Sequence, residues 1–175
     1  SKGAADQYVI DYSRIYSLNT TSFRQSCIYG PRQFGSEDQG WISWIIYAAL
    51  SNQDISVYGD GKQVRDALFV DDLISAYDAA INNPKLVKGQ AFNIGGGRNN
   101  SISLLEFISI LSDYLEKDIP YSLEDVRPGD QKVYISDINK ISSVLQWKPK
   151  VSLNKGIKSL LDWTKENMNN SKKDS

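Results

Sequence analysis

Among its 175 residues the sequence has no histidine, one cysteine (Cys27) and one methionine. Without histidine the commonest general base and metal ligand is missing, so any proton chemistry falls to Tyr, Lys, Asp or Glu. A single cysteine excludes an internal disulfide framework and a cysteine-built zinc site, and a cytoplasmic protein holding no metal is expected. No apolar run approaches the ~20 residues of a membrane span, so no membrane attachment is expected. Neither charge sign is in useful excess: 20 Lys and Arg oppose 21 Asp and Glu, for a net charge of −1. No general basic field can gather nucleic acid, and a bound anion must be held by a few placed cations. With 41% apolar and 23% charged residues, the chain is expected to form one soluble domain with a real core.

Ala4, Ala5, Tyr8, Val9, Tyr12, Ile15 and Tyr16 recur at helical spacing, which predicts an amphipathic helix to about Ser17. Asn19 to Cys27 reads as one strand, ended by Tyr29-Gly30-Pro31. After the polar loop Arg32 to Gln39, the residues Trp41, Ile42, Ile45, Ile46, Ala49 and Leu50 mark a second helix. Ile55 to Tyr58, Gly59-Asp60-Gly61 and Lys62 to Val70 read as a β-hairpin, because Asp-Gly supplies the positive φ of a tight turn. Asp71 or Asp72 is placed to cap a helix that stops at Asn82-Asn83-Pro84. Gln90 to Ile94 is a short apolar strand before Gly95-Gly96-Gly97, and Ser103 with Glu106 has capping-box spacing ahead of a helix Leu104 to Leu115. Tyr121 to Gln131 reads as loop, Asp137 as the cap of a short helix to Leu145, and Ile157, Leu160, Leu161 and Trp163 as the face of a last helix. Asn169 to Ser175 is a polar tail expected to be disordered. The alternation predicts an α/β or α+β class. Thr20 to Ser26 and Gln90 to Ile94 suit a parallel sheet that nothing else in the chain completes.

Two stretches carry candidate chemistry. Residues 59–66, Gly-Asp-Gly-Lys-Gln-Val-Arg-Asp, and residues 127–130, Arg-Pro-Gly-Asp, each set an arginine beside a glycine turn and a carboxylate. Backbone can approach a ligand closely there, and two separated arginines suit a diphosphate. The plainer alternative is that Arg65 pairs with Asp66 or Asp72 for structure and that Arg127 is a surface residue. Gly95-Gly96-Gly97 lacks the spacing of a phosphate loop and reads as a tight turn. The loop 32–41 offers Arg32, Gln33, Gln39 and Trp41, amides and an aromatic face able to grip a sugar, or else a polar loop with Trp41 packed inward. Cys27 reads as an inert strand residue without a base beside it.

The order Ser-Lys-Gly-Ala-Ala before a helix, Phe23-Arg24, Tyr29-Gly30-Pro31, residues 59–66, Phe92-Asn93-Ile94-Gly95-Gly96 and Arg127 to Asp130 resembles the second half of an extended short-chain dehydrogenase/reductase. These are the NAD-dependent nucleotide-sugar epimerases and dehydratases, and the likeness runs over nearly the whole chain. The stretches SKGAADQY, RQF with DQGW, GKQVRD, Asn100 to Glu106 and WKPKVS most resemble the CDP-paratose (CDP-tyvelose) 2-epimerase group.

The resemblance implies the C-terminal part of a Rossmann-like fold. Residues 1–168 would form the nucleotide-sugar-binding half, with 1–27 and 90–95 entering the Rossmann sheet, and the dinucleotide-binding unit would lie outside this chain. Lys2 matches the lysine of the family's Tyr-x-x-x-Lys pair, whose tyrosine would fall three residues before Ser1. Ser26, Cys27, Ile28 and Tyr29 match the segment near the nicotinamide of NAD. Arg65 and Arg127 match the diphosphate-gripping arginines, and Asp130 an acid on the nucleotide ribose. Val57 and Tyr58 match the base site, and Gln33, Gln39 and Trp41 fall in the loop expected at the sugar. The implied activity is 2-epimerisation of a CDP-hexose by transient oxidation at sugar C2, in a homo-oligomer, with this stretch inactive alone. A UDP-sugar 4-epimerase, a dTDP-glucose 4,6-dehydratase and a non-catalytic nucleotide-sugar-binding module remain alternatives.

Overall fold

The computed structural model describes residues 1–171. In chain order its elements are α1 (Lys2–Tyr16), β1 (Thr21–Gln25), β2 (Cys27–Tyr29), α2 (Trp41–Ser51), β3 (Ser56–Tyr58), β4 (Val64–Phe69), α3 (Val70–Asn82), α4 (Pro84–Val87), β5 (Gln90–Ile94), a 3-10 turn (Arg98–Asn100), β6 (Ser101–Ser103), α5 (Leu104–Leu115), β7 (Ser122–Glu124), β8 (Val133–Tyr134), α6 (Asn139–Leu145) and α7 (Leu153–Ser171).

The two strands expected to share a parallel sheet do so, β1 pairing with β5 from Thr21 opposite Gln90 to Gln25 opposite Ile94. The stretch Asn19 to Cys27 is not one strand, because Ser26 hands the chain from one sheet to another. Its N–H donates to the Ile94 carbonyl at 2.9 Å, closing the β1–β5 pair. Its hydroxyl donates to the Asp66 carbonyl at 2.7 Å and to the Asp66 carboxylate. From there β2 pairs in parallel with the second half of β4, Cys27–Tyr29 against Ala67–Phe69. The first half of β4 takes β6 antiparallel and β8 parallel.

Strand β4 divides the interior by the period of two of a pleated strand. Ala67 and Phe69 join Tyr29, Ile42 and Ile46 beneath Phe107, Leu111, Ile157 and Leu160, whereas Leu68 joins Leu73, Phe92, Ile94, Ile141 and Trp147.

The expected hairpin does not form. Gly59 and Gly61 have the positive φ foreseen, 83° and 70°, but β3 pairs in parallel with β7. A Cβ on Gly61 would lie 2.7 Å from Leu105 Cγ, and its carbonyl accepts the Leu105 N–H at 3.1 Å. The turn is thus seated on the start of α5 and sends the chain into β4 instead of back along β3. The same pairing makes a strand of Ser122–Glu124, within a stretch expected to be loop.

The capping box of α5 is present. Ser103 Oγ accepts the Glu106 N–H at 3.3 Å, and the Glu106 carboxylate accepts the Ser103 N–H at 2.8 Å. Neither Asp71 nor Asp72 caps α3, whose N-cap is Phe69 and which has no side-chain cap. Asp72 is buried and accepts the N–H groups of Lys150 and Val151 at 3.0 and 2.9 Å, so it fastens the loop after α6. Helix α7 continues through Ser171, so Asn169 to Ser171 are helical instead of disordered. The rest of the expected tail, 172–175, lies outside the described residues.

Helix α1 turns much of its apolar face to solvent, with Tyr8, Tyr12, Ile15 and Tyr16 all exposed. It is tied to β1 by Asp6, which accepts the Ser22 hydroxyl and pairs with Arg24 (Nη2 to Oδ2, 2.6 Å). The Arg24 hydrogen bond, followed by that of Ser22, holds the Asp6 carboxyl down from 3.8 to about 2. A carboxyl lowered on folding contributes stability that is present above its unfolded pKa and lost as pH falls through the folded one. The wild-type unfolding midpoint in urea should therefore drop between pH 4 and pH 2 more steeply than that of Asp6→Asn. Parallel pH curves for the two proteins would show that the tie does not titrate.

Candidate functional site

Strand β4 and the turn at residues 127–130 build the centre of the site. Asp66 faces inward and is fully buried. Its neighbour Arg65 reaches the opposite way, with Nη2 2.6 Å from Asp130 Oδ1 and Nη1 2.8 Å from its anchor, the Val64 carbonyl. Arg65 therefore pairs with neither Asp66 nor Asp72, the two partners its sequence neighbourhood offered. Asp66 instead takes the Ser26 hydroxyl and the Gly97 N–H, the latter at 3.0 Å.

Asp130 closes the turn begun by Arg127, donating its N–H to the Arg127 carbonyl at 3.1 Å with Gly129 at φ 80°. One turn thus links the two arginines that the sequence singled out. The Arg127 guanidinium lies 3.8 Å over the Tyr58 ring, a cation–π contact, and its Nη2 is 3.1 Å from Asp38 Oδ1. The Tyr58 hydroxyl donates to Glu37 at 2.6 Å. Glu37 and Asp38 were missed by sequence reasoning, which read this loop through its amides and its tryptophan. Two adjacent carboxylates between Gly35 and Gly40, in a chain already offering two turn arginines, were the available signal.

The residues expected at the sugar contribute unequally. Gln33 spends its Nε2 on the Ile28 carbonyl at 3.0 Å and leaves Oε1 buried without a partner. Gln39 is exposed, within the turn bridged by Ser36 and Gln39. Trp41 is half-buried, with Nε1 2.9 Å from Cys27 Sγ and its ring in a T-shaped pair with Phe107, centroids 5.2 Å apart. Val57 is fully buried, so only its backbone can meet a ligand.

The residues expected near the cofactor form a second group. Burial pushes the Cys27 thiol up, which keeps it protonated. Burial also pushes the Tyr29 phenol up, and its hydroxyl, 3.4 Å from the Leu153 carbonyl, lies where a Cβ on Gly156 would fall 2.1 Å away. Neither side chain is a base at neutral pH, so Ser26 to Tyr29 can offer a ligand chiefly the backbone along β2. Lys2 is exposed in the first turn of α1, and its side chain makes no ion pair or hydrogen bond among the described residues. Asp66 links the two groups, since it binds Ser26 and adjoins Arg65 on β4.

Gly95-Gly96-Gly97 serves close packing. A Cβ on Gly95 would lie 2.3 Å from Asp66 Oδ2 and one on Gly96 2.1 Å from the Ala67 carbonyl, and the Gly97 N–H is taken by the Asp66 carboxylate at 3.0 Å. Among the described residues no helix is long and apolar enough to cross a membrane.

Residues 1–95 match the NAD dependent epimerase/dehydratase family. The chain belongs to that family. Over 169 residues it is 47% identical to the CDP-paratose 2-epimerase of Salmonella typhi, covering 94% of this chain and 50% of that protein. Its fold matches the UDP-glucose 4-epimerase of Thermotoga maritima, solved with UDP-glucose, at a TM-score of 0.85 and 29% identity over 95% of this chain and 52% of the other. The UDP-glucuronic acid 4-epimerase of Bacillus cereus, solved with UDP-glucuronic acid and NAD, matches at 0.82 and 30% over 92% and 50%. This epimerase/dehydratase-family chain therefore spans about half the length of the relatives it matches. Their α/β, extended short-chain dehydrogenase/reductase architecture is the class that the sequence motifs implied.

Proposed function

We propose that residues 1–168 are the nucleotide-sugar-binding half of an NAD-dependent CDP-sugar 2-epimerase interconverting CDP-paratose and CDP-tyvelose. The observation that carries this reading is the linkage of Arg65 and Arg127 through the turn ending at Asp130. Two guanidinium groups fixed by one short turn suit a diphosphate, which accepts several charge-assisted hydrogen bonds at once. The 47% identity to a CDP-paratose 2-epimerase supports the choice of nucleotide and of carbon.

In this reading Arg65 and Arg127 hold the diphosphate, and Asp130 accepts a ribose hydroxyl. Tyr58 and the Val57 backbone meet the base, and Gln33, Gln39 and the exposed part of Trp41 meet the sugar. Holding the nucleotide fixed lets the sugar present first one face and then the other at the reacting centre without leaving the protein. Lys2, exposed and cationic, suits the ribose hydroxyls at the nicotinamide end of NAD, and it would lower the pKa of a tyrosine four residues before it, the base for the sugar hydroxyl proton. The backbone of Ser26 to Tyr29 along β2 borders the same end. Gly95-Gly96-Gly97 lacks the spacing of a phosphate loop and its Gly97 N–H is taken by Asp66, so a separate dinucleotide-binding unit would hold the cofactor's pyrophosphate. Bound NAD supplies the hydride acceptor and donor at sugar C2.

The reading includes a cytoplasmic location and a homo-oligomer, and the exposed Tyr8, Tyr12, Ile15 and Tyr16 of α1, an apolar face suited to a covering partner, support the oligomer. A second reading, a UDP-sugar 4-epimerase, is favoured by the fold match to the Thermotoga maritima enzyme. Incubating a full-length protein carrying this chain with CDP-paratose, UDP-glucose and dTDP-glucose separates the two. Conversion of CDP-paratose to its 2-epimer, with the other substrates unchanged, is expected. Conversion of UDP-glucose, or an unreactive CDP-paratose, would displace the first reading.

A further inference from the structure

We propose that the turn Ser36 to Gln39 is a carboxylate latch on the diphosphate clamp, closed in the free chain and opened when the ligand's diphosphate replaces Asp38 on Arg127. The inference rests on the reading of Arg127 as a diphosphate-binding residue.

The turn is a small rigid unit. Ser36 and Gln39 exchange N–H to carbonyl hydrogen bonds at 2.8 and 3.1 Å, which puts Glu37 and Asp38 together at its tip. Both carboxylates land on one target. Glu37 takes the Tyr58 hydroxyl at 2.6 Å, Asp38 lies 3.1 Å from Arg127, and Arg127 itself lies 3.8 Å over the Tyr58 ring. The turn therefore places its own anion on a guanidinium assigned to the ligand's anion.

The two ion pairs of the clamp differ in how readily they exchange. Arg65 and Asp130 meet at 2.6 Å with side chains 18% and 31% exposed. Arg127 and Asp38 meet at 3.1 Å with side chains 40% and 85% exposed. A pair so open to water is weak and screened by salt, so it gives way to a stronger anion. A diphosphate carries more charge than one carboxylate and can take the guanidinium fork bidentately. Once seated, it also repels Glu37 and Asp38, so a closed turn and a bound diphosphate exclude each other.

The turn is joined to the rest of the site at its base. Gly40 follows Gln39 with φ 73°, a left-handed conformation that glycine adopts without strain, and the next residue is Trp41. A Cβ on Gly35 would fall 2.5 Å from the Gly40 carbonyl, so the two ends of the loop are in close contact. Opening at the tip is thereby coupled to Gln39 and Trp41 on the sugar side.

Calorimetric titration of CDP into the wild-type chain, Asp38→Asn, Arg127→Ala and the double variant tests the latch. Removing the competing carboxylate should tighten CDP about two- to fivefold, the range set by an exposed ion pair. In the Arg127→Ala background Asp38→Asn should change nothing, because the guanidinium it blocks is gone. Unchanged or weaker CDP binding by Asp38→Asn overturns the latch and leaves the clamp standing. Equal tightening in both backgrounds also overturns it, showing only long-range relief of negative charge. A wild-type chain that does not bind CDP at all removes the diphosphate reading and the latch together.

Discussion

Arg65→Ala and Arg127→Ala should each weaken CDP binding by roughly 10- to 150-fold, the equivalent of about 1.5–3 kcal/mol for a hydrogen bond to a charged group. Arg65 is the better test of geometry. Its guanidinium is held at one end by the Val64 carbonyl at 2.8 Å and at the other by Asp130 at 2.6 Å, so it is oriented before a ligand arrives. Arg65→Lys keeps the charge and loses the fork, and it should recover only part of the lost affinity. Arg127 is more exposed and rests on Tyr58 at 3.8 Å. Its removal should cost affinity with little cost in stability, which circular dichroism checks. CDP affinity unchanged in both alanine variants would remove the clamp from the account.

The largest stability effect is expected from Gly96→Ala. The new Cβ would lie 2.1 Å from the Ala67 carbonyl oxygen, 2.8 Å from the Ala67 carbonyl carbon and 2.7 Å from Asn100 Cβ. None of these neighbours can retreat cheaply. Ala67 lies in β4, paired with Cys27 of β2. Asn100 is fixed by its amide, which donates to the Val151 carbonyl at 3.1 Å and accepts the Leu153 N–H at 3.0 Å. Overpacking against backbone of this kind costs about 3 kcal/mol or more, a fall in Tm of roughly 6–12 °C for a chain of this size. Gly3→Ala is the control, since a Cβ there meets nothing within 4 Å and the position is helical. It should raise stability by up to about 1 kcal/mol. Thermal unfolding of Gly96→Ala within about 2 °C of wild type would contradict this packing.

What the sequence made legible follows the range of the forces involved. The capping box of α5 needs only Ser103 and Glu106, three residues apart, and the helix stop at Asn83-Pro84 is equally local. The parallel pairing of β1 with β5 could be inferred because both strands are short and alternate with helices. The hairpin failed at the same scale: Gly59 and Gly61 turn as expected, yet β3 chooses β7, whose three residues are all exposed and show no hydrophobic pattern. Ser26 was hidden inside an apparently continuous strand because its role depends on Asp66, a buried carboxylate from a distant segment.

The site divides along the same line. Arg65, Arg127 and Asp130, which the structure links, lie in stretches the sequence singled out because each sets an arginine beside a glycine turn and a carboxylate. Trp41 packed inward was one of the two readings its loop left open, whereas Val57 was readable as a strand residue but not as a fully buried one. The Glu37 and Asp38 contacts with Tyr58 and Arg127 were not readable, since nothing local to residues 36–39 points to residue 127.

On the proposed reading, this chain grips a nucleotide by its diphosphate. The most direct measurement of that grip is the wild-type reference of the arginine series, titrated with CDP and, side by side, with cytidine. Saturable CDP binding at least about tenfold tighter than cytidine is predicted, because the phosphates meet the two guanidinium groups. CDP binding no more tightly than cytidine would contradict it.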